Sequence, residues 1–523
     1  MIHVRKTMHM MNRRCRCSAL AYLPLLGLAF ISAAAENPVI RSFDGDQGTA
    51  LSQCQPETTH CGRQPEMNAA ANGRNVVQVT WQHVSVFDYS GKLLRSTPLA
   101  QFIKGAHLDP DTAEGKGPFE PMVVYDEFLG RWIITVTCHN DCFLVSESSD
   151  PQGAWGGVYL SCLQGGPCLD RDPALHLGFD RNGVYYCGGH MGDEFPQTVP
   201  KFAYDCFAIP SSEVPGIARG TPPQHLNRAH NLPLDVVPAI DHNQHKSKTA
   251  PAFFAAKTCS RAEPGGCQRS VNFPFHWIVE TFTWNGSGGA YSQSAQIIKT
   301  DIGSKQDKWL YNLPCCNASA SIPQAGSEIA LRAAESHRLS NLVQFGSHLY
   351  GTLGAGPCTQ DCGRQGRDTG NLVFFVDLDC SNPAACVVNQ TSKISGPDFN
   401  PEFATVGVDS QGNLGIVAES ATASTDLSIL LWMHRRTDPP NVFAGPVAVV
   451  AGTRPYTCLN QHTVAMIGSA VGVLTALDPA DGSKLWTTQQ WSKDATRCVW
   501  NTRIMQYQVA SISSATKKSG KPK

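Results

Sequence analysis

Three short runs of apolar and β-branched residues follow one another between Glu120 and Trp155. They cover residues 121–125, 132–137 and 143–146, and turn residues close each run. Short runs of this composition predict β-strands. The first connection ends in Gly130, which can adopt positive φ, so the first two runs are predicted to form a hairpin. The whole stretch predicts one antiparallel meander, about the size of a propeller blade.

The same order of strand, aspartate, glycine and strand recurs along the chain. Fuller copies contain Asp180 to Gly183 and Asp409 to Gly412, and partial copies turn at Asp88 to Gly91 and at Asp481-Gly482. Further strands are predicted at 277–284, 342–353, 372–378 and 429–434. One meander cannot bury both faces, whereas a closed ring of repeats can, and it removes exposed sheet edges. The prediction is an all-β fold, a β-propeller with seven blades of four-stranded antiparallel sheets and disulfide-stapled loops.

The first 35 residues have the pattern of a secretory signal peptide. Basic residues at the start precede an apolar stretch from Ala19 to Ile31 and the small residues Ser32 to Ala35. The apolar stretch is too short for an ordinary membrane span. The predicted organisation is a signal peptide at 1–35, one propeller domain at 36–509 and a disordered tail at 510–523. A secreted monomer, extracellular or periplasmic and without a membrane span, is expected.

The charge and composition of the chain indicate which classes of ligand it is not expected to bind. The chain of 523 residues has 16% charged residues and a formal net charge of -1. This balance gives no support to nucleic-acid binding or to membrane-surface binding, which need basic patches. The histidines His225, His230, His242 and His245 match no metal motif and are predicted to lie in a solvated loop. No metal or cofactor is predicted, and nothing in the sequence supports a structural calcium ion.

Two of the 20 cysteines, Cys15 and Cys17, fall in the predicted signal peptide, which leaves an even number in the mature chain. Six pairs lie close in sequence within turn-rich segments and are predicted disulfides. They are Cys54 and Cys61, Cys138 and Cys142, Cys162 and Cys168, Cys259 and Cys267, Cys358 and Cys362, and Cys380 and Cys386. The remaining six are not paired by the sequence. Cys187 with Cys206 and Cys458 with Cys498 are natural pairs, which would leave Cys315 and Cys316 to form a vicinal bridge or to pair elsewhere.

A polar residue followed by proline stands before a predicted innermost strand at Glu120, Asp172 and Asn400. In a propeller these side chains would occupy equivalent places near one mouth of the central channel. Ligands of propellers commonly bind there. The three residues are therefore the predicted ligand-binding residues, although ending a strand and capping a turn would require the same residue types.

Several segments together resemble a family of secreted bacterial β-propeller proteins. They are Phe87 to Gly91, Glu120 to Trp132, Ser148 to Trp155, Asp170 to Pro173 with Gly178 and Tyr185, and Leu477 to Trp486 with Trp500 to Arg503. The resemblance covers roughly residues 42–509. It implies a propeller of seven blades and no established reaction.

Ser148 to Trp155 is also similar to the Asp-box of the sialidase superfamily. Ser148, Asp150 and Trp155 are in register, whereas Gly153 is one place late. Asp-boxes are structural and lie on the outer hairpins of blades, so this resemblance concerns fold and not chemistry. Sialidase catalysis needs an arginine triad and a tyrosine nucleophile, and no motif that begins such a triad is present.

Two other enzyme classes are alternatives. The stretch from Ala476 to Trp486 resembles the tryptophan-docking repeat of pyrroloquinoline quinone enzymes, and Cys315-Cys316 resembles their vicinal cysteines. That repeat recurs through true quinoproteins but occurs once here.

A lyase or hydrolase acting on acidic polysaccharide is the other alternative. A lyase could use His190 and Tyr186 as acid and base beside Arg171, because proton abstraction next to a uronate needs its charge masked. Alternation along the strand places Tyr186 and Tyr185 on opposite sheet faces, which favours core positions for both.

The sequence favours a binding or interaction scaffold for glycan or cell-envelope material. It leaves open whether the protein is an enzyme. Charged residues from several blades meeting at the channel mouth would indicate an enzyme, whereas aromatic loops there would indicate a binding module.

Overall fold

A computed structural model of the chain describes residues 38–48, 65–111, 117–138, 141–160, 175–191, 202–232, 236–258, 276–292, 296–299, 321–333, 339–355, 372–394, 399–456, 465–467, 474–493 and 499–509. Seven antiparallel sheets of four strands are arranged in a ring, which confirms the predicted seven-bladed β-propeller. Two of these sheets carry one additional short strand.

The strands follow the ring in chain order, except that β1 (Val39–Gln47) belongs to the last blade. Blade 1 contains β2 (Asn68–Ala71), β3 (Asn75–Val79), β4 (His83–Asp88) and β5 (Leu93–Pro98), and helix α1 (Leu99–Gly105) follows. Blade 2 contains β6 (Phe119–Asp126), β7 (Arg131–Thr137), β8 (Cys142–Ser146) and β9 (Trp155–Tyr159). Blade 3 contains β10 (His176–Asp180), β11 (Gly183–Met191), β12 (Phe202–Pro210), helix α2 (Val214–Ile217) and β13 (Asn227–Leu232).

Blade 4 contains β14 (Val237–Pro238), while β15 (Ile240–Asp241) runs on to pair with blade 5. Its other strands are β16 (Ala252–Thr258), β17 (His276–Asn285), β18 (Gly288–Tyr291) and β19 (Gln296–Lys299). Strands β20 (Ser321–Gln324) and β21 (Ser327–Ala333) stand outside the ring, and blade 5 contains β22 (Leu339–Phe345), β23 (His348–Ala355), β24 (Leu372–Asp379) and β25 (Val387–Ile394).

Blade 6 contains β26 (Pro401–Val408), β27 (Leu414–Thr422), β28 (Thr425–His434) and β29 (Ala444–Val450). After β30 (Ala465–Ile467), blade 7 is formed by β31 (Ala476–Leu477), β32 (Lys484–Trp491), β33 (Asn501–Gln508) and β1. We call the face where the innermost strands begin the top face, and the face where they end the bottom face.

Strand β1 closes the ring by pairing antiparallel with β33 as the outermost strand of blade 7. Asp44 forms ion pairs with Arg503 and Lys493, each at 2.6 Å between nitrogen and oxygen. The ring of Phe43 packs on Phe87 of blade 1 and Trp486 of blade 7. The start and the end of the described chain therefore share one sheet.

The recurring aspartates of the sequence stabilise turns on the bottom face. Asp126 and Asp180 end the innermost strands of blades 2 and 3, and Asp409 directly follows the innermost strand of blade 6. The Oδ1 atom of each accepts two backbone N–H groups of the turn that follows. Gly130 has φ of 61°, as the predicted hairpin requires. The strand, aspartate and glycine order thus marks the connection between the first two strands of a blade.

Buried Lys246 links the innermost strand of blade 3 to β15 at the bottom face. Its Nζ lies 2.9 Å from an oxygen of Asp180 and 3.0 Å from an oxygen of Asp241. The two carboxylates raise the pKa of Lys246 against the opposing effect of its burial. The positive charge of Lys246 is therefore buried between two carboxylates, one on β10 of blade 3 and one on β15.

Three disulfides are present in the described part of the chain. Cys138–Cys142 and Cys380–Cys386 confirm two of the predicted pairs, and Cys187–Cys206 forms as the natural pairing suggested. These bonds indicate an oxidising compartment. The other predicted pairs and Cys315, Cys316, Cys458 and Cys498 lie outside the described residues. So do the predicted signal peptide and tail, which remain predictions. No helix in the described ranges is long and apolar enough to cross a membrane.

A small sheet of β20, β21 and β30 covers blade 6 on the top face, and we call it the cap sheet. Gln324 of β20 donates its side-chain amide to the carbonyl oxygens of Ile329 and Tyr456. Ile322 and Leu331 pack with Phe403 of β26 in one apolar cluster. The sequence pattern predicted none of the three strands of this sheet.

Candidate functional site

Two glutamates at the start of neighbouring innermost strands lie in contact on the top face. Glu66 precedes β2, Glu120 lies in β6, and each is 2% exposed. The backbone N–H of Glu120 donates to Oε2 of Glu66 at 2.9 Å. Both residues have positive φ, 44° and 55°. A backbone conformation of this kind is unfavourable for glutamate and persists only where the surroundings hold it in place.

A second pair of glutamates lies between blades 6 and 7. Glu402 of β26 and Glu419 of β27 are opposite each other in the ladder and are 2% and 0% exposed. Oε1 of Glu419 accepts the backbone N–H of Gln490 at 2.9 Å, while burial raises the pKa of Glu419 to about 8, with Glu402 adding to the effect. Glu419 is therefore mostly protonated at neutral pH.

These four glutamates are enclosed rather than presented to solvent. The cap sheet packs against Phe403, next to Glu402, in the same apolar cluster. Gln489 donates its amide to the carbonyl oxygen of Phe403, which adds a contact between blades 6 and 7 at this level. All four glutamates are thus buried within the described structure.

The predicted ligand-binding residues differ in their placement. Glu120 belongs to the enclosed glutamates described above. Asn400 is half-buried and donates its amide to the carbonyl oxygen of Ala421, while its backbone N–H donates to Ser420. Asn400 therefore stabilises the start of β26. Asp172 lies outside the described residues.

The residues predicted for a lyase are not assembled within the described ranges. Tyr186 is 1% exposed, stacks on Phe207 and belongs to the apolar core between blades 2 and 3. Tyr185 lies on the opposite face, in the core toward blade 4, as strand alternation predicts. His190 is in β11, with its side chain outside the described part, and Arg171 is not among the described residues. The described residues also contain no group of three or more His, Cys, Asp or Glu side chains that could hold a metal.

An open cavity of about 1050 Å³ lies at the outer rim of blades 1 to 3, and we call it the rim groove. Its walls are the outer strands β5 and β9, helix α1 and the segment that follows α2. A β-carbon at Gly156 would lie 2.3 Å from the carbonyl oxygen of Ala218, so glycine is required where this segment packs on β9. The volume is that of a site for a small ligand or a few sugar rings.

Aromatic side chains form part of the groove lining. Phe102 of α1 and Trp155 of β9 pack edge to face with centroids 5.0 Å apart, and Tyr159 lies farther along β9. All three rings are half-buried, so part of each remains accessible. The hydroxyl of Tyr159 accepts the backbone N–H of Asp109, which fixes that ring.

The Asp-box-like residues form the turn that positions Trp155. Oδ1 of Asp150 accepts the N–H of Gln152, and Oγ of Ser148 accepts the N–H of Asp150. The indole N–H of Trp155 donates to the carbonyl oxygen of Pro151 at 3.0 Å. Gly153 lies in the same turn and lines the groove. The motif therefore places an aromatic ring at the cavity.

The charged residues of the groove are mostly basic. Arg95, Lys104 and Arg219 are exposed and line the cavity, and Glu147 is the one carboxylate in the described lining. Arg95 donates to Thr97 and to the carbonyl oxygen of Gln152. The groove thus carries three permanent cations against one anion.

Sequence reasoning missed the groove because its residues come from four separate segments. Arg95, Lys104, Trp155 and Arg219 span more than a hundred positions and share no motif. One signal was available: the resemblance to an Asp-box around Trp155 located an outer hairpin.

Comparisons with known proteins identify no family for this chain. No protein-family model matches it, and no curated protein matches it. Solved structures match at low identity. The ulvan lyase of a polysaccharide lyase family has a TM-score of 0.41 at 9% identity, covering 90% of this chain and 94% of that one.

Hydrazine synthase of Kuenenia stuttgartiensis has a TM-score of 0.40 at 10% identity, covering 83% of this chain and 95% of that one. Extracellular domains 1-2 of Drosophila Semaphorin 1a give 0.39 at 9% identity, covering 86% of each chain. Similarities of this degree give no information about the ligand or reaction of the present chain.

Proposed function

We propose that this protein is a secreted carbohydrate-binding propeller and that the rim groove is its binding site. The observation that carries the proposal is the lining of the groove, where half-buried Phe102, Trp155 and Tyr159 stand beside exposed polar side chains. The apolar faces of sugar rings pack on aromatic rings, while their hydroxyl groups need polar partners, and this lining supplies both.

Binding accounts for the groove better than hydrolysis does. Most glycoside hydrolases use a pair of carboxyl groups on either side of the scissile bond. The described lining of the groove contains one carboxylate, Glu147. The glutamates of the top face are buried and do not belong to the lining of the groove.

The source of the ligand follows from the predicted location. Three disulfides indicate an oxidising compartment, and the first 35 residues have the pattern of a signal peptide. An exported protein meets glycans of the cell envelope or the extracellular space. These are the carbohydrates to test first.

The test is glycan binding by mature protein, residues 36–523, and by the variant Trp155→Ala. Isothermal titration calorimetry with oligosaccharides selected on a glycan array is expected to show affinity lowered about tenfold or more, because an aromatic contact is lost. Phe345→Ala is the matched control, since Phe345 is a half-buried aromatic residue of blade 5. The thermal midpoint of each variant separates lost binding from lost folding. Unchanged affinity in Trp155→Ala, or no binding to any glycan on the array, would contradict the proposal.

A further inference from the structure

We infer that the ligand of the rim groove is an anionic oligosaccharide, selected through Arg95, Lys104 and Arg219. This inference rests on the proposed function, because it names the class of carbohydrate that the same groove binds. Uronate and sulfate groups are the anions that polysaccharides carry.

The lining of the rim groove has an excess of positive charge. Three basic side chains and one carboxylate line the groove, which gives a formal net charge of +2 (from +3 and -1) when histidine is not counted. The chain as a whole has a formal net charge of -1. The excess of positive charge is therefore a property of this cavity and not of the protein in general.

The three basic residues of the groove differ from other arginines of the chain in their ion pairing. None of Arg95, Lys104 and Arg219 forms an ion pair with a carboxylate in the described part of the chain. By contrast, Arg228, Arg435 and Arg503 elsewhere each do so. Cations that the fold does not use for its own ion pairs are available to an anionic ligand.

The three basic residues come from different elements of the groove that contains the aromatic rings. Arg95 lies on β5, Lys104 on α1 and Arg219 after α2, so cations occupy three different walls of the groove that contains Trp155. A sugar bound in the groove would therefore have basic side chains on more than one of the surrounding walls. Arginine also binds carboxylate and sulfate groups in a bidentate manner. A neutral sugar would add no counter-charge to the net positive charge of the groove.

The test compares oligosaccharides that differ only in charge. In the first pair, the acidic member is a cello-oligosaccharide whose primary hydroxyl groups have been oxidised to uronates, and the neutral member is the unoxidised parent. In the second pair, the acidic member is an oligogalacturonate and the neutral member is its methyl ester. Calorimetry with mature protein is expected to show the acidic member of a pair binding about tenfold tighter. The difference should shrink as NaCl rises from about 50 to about 500 mM.

The variant Lys104→Ala/Arg219→Ala is expected to lose most of this preference while keeping residual binding through Trp155. Lys248→Ala, at an exposed lysine outside the groove, is the matched control and should retain the preference. Both substitutions in the double variant are at exposed positions, so the fold should be unaffected.

The possible failures are distinguishable. Equal binding of acidic and neutral members, still sensitive to Trp155→Ala, would overturn the inference and leave the proposed function standing. A preference that survives in Lys104→Ala/Arg219→Ala would overturn the assignment of the residues. Stronger binding to vesicles of phosphatidylserine in phosphatidylcholine than to any acidic oligosaccharide would assign the groove to a membrane surface instead. No binding to any carbohydrate would overturn both proposals.

Discussion

Glu419 carries a buried carboxyl group whose surroundings favour the protonated form. Its folded pKa is raised to about 8, and the ordinary value for glutamate is near 4.5. Between these values the folded protein retains a proton that the unfolded chain has lost. The stability contributed by this group is therefore fully present below pH 4.5 and is lost as pH rises through about 8.

Glu419→Gln is expected to remove this dependence, because glutamine has a similar shape, keeps an acceptor for the N–H of Gln490 and does not ionise. At high pH the free energy of unfolding of the variant should exceed that of the parent by on the order of 2–4 kcal/mol, since one pKa unit corresponds to about 1.4 kcal/mol. At low pH the two proteins should differ little. Urea unfolding of both proteins across this pH range measures the difference. Glu328→Gln, at an exposed glutamate, is the control. Parallel stability curves for parent and Glu419→Gln would refute the expectation.

Among the elements, strands β11 and β12 are joined by a disulfide inside the core. Cys187 and Cys206 are directly opposite in the ladder, both are 0% exposed, and they are 19 residues apart. Cys138 and Cys142 are only 4 residues apart. A bond that closes a longer loop removes more conformational freedom from the unfolded chain.

Cys187→Ala/Cys206→Ala is therefore expected to lower the free energy of unfolding by about 2–4 kcal/mol. Cys138→Ala/Cys142→Ala also replaces two cysteines by alanine, and it should lower the free energy of unfolding clearly less. Chemical unfolding of the two variants under non-reducing conditions provides the comparison. Equal losses would mean that packing, and not loop closure, determines the effect.

The sequence predicted those features that depend on neighbouring residues. The hairpin at Gly130 and the disulfide of Cys138 with Cys142 are set by local turn chemistry, and both are confirmed. The ladder contact of Glu402 with Glu419 depends on how two strands align around a bulge. No local pattern specifies that alignment, and the same holds for the rim groove, whose walls come from three blades.

At the scale of the whole molecule, the ring depends on β1. This strand completes blade 7, and Phe43 packs between that blade and blade 1. Phe43→Ala is expected to lower the free energy of unfolding by about 1–3 kcal/mol, because the side chain is partly buried at the closure. Ile40→Ala is the matched control in the same strand, since Ile40 is 42% exposed.

Removal of residues 1–47 should have a larger effect than Phe43→Ala, because it exposes the edge of β33. Calorimetry measures the stability of the parent, of Phe43→Ala and of the truncated protein, and size-exclusion chromatography measures their association. If the truncated protein keeps the thermal midpoint of the parent and stays monomeric, closure by β1 is not essential.

The pairing of β1 with β33 also has a consequence for biogenesis. Synthesis proceeds at roughly 5–20 residues per second, so about 20–90 s separate the appearance of the two strands. During that interval β33, the strand that pairs with β1, has not yet been synthesised, so blade 7 cannot be completed. We therefore expect closure of the ring to be the last and slowest step of folding, because contacts between distant parts of a chain form slowly.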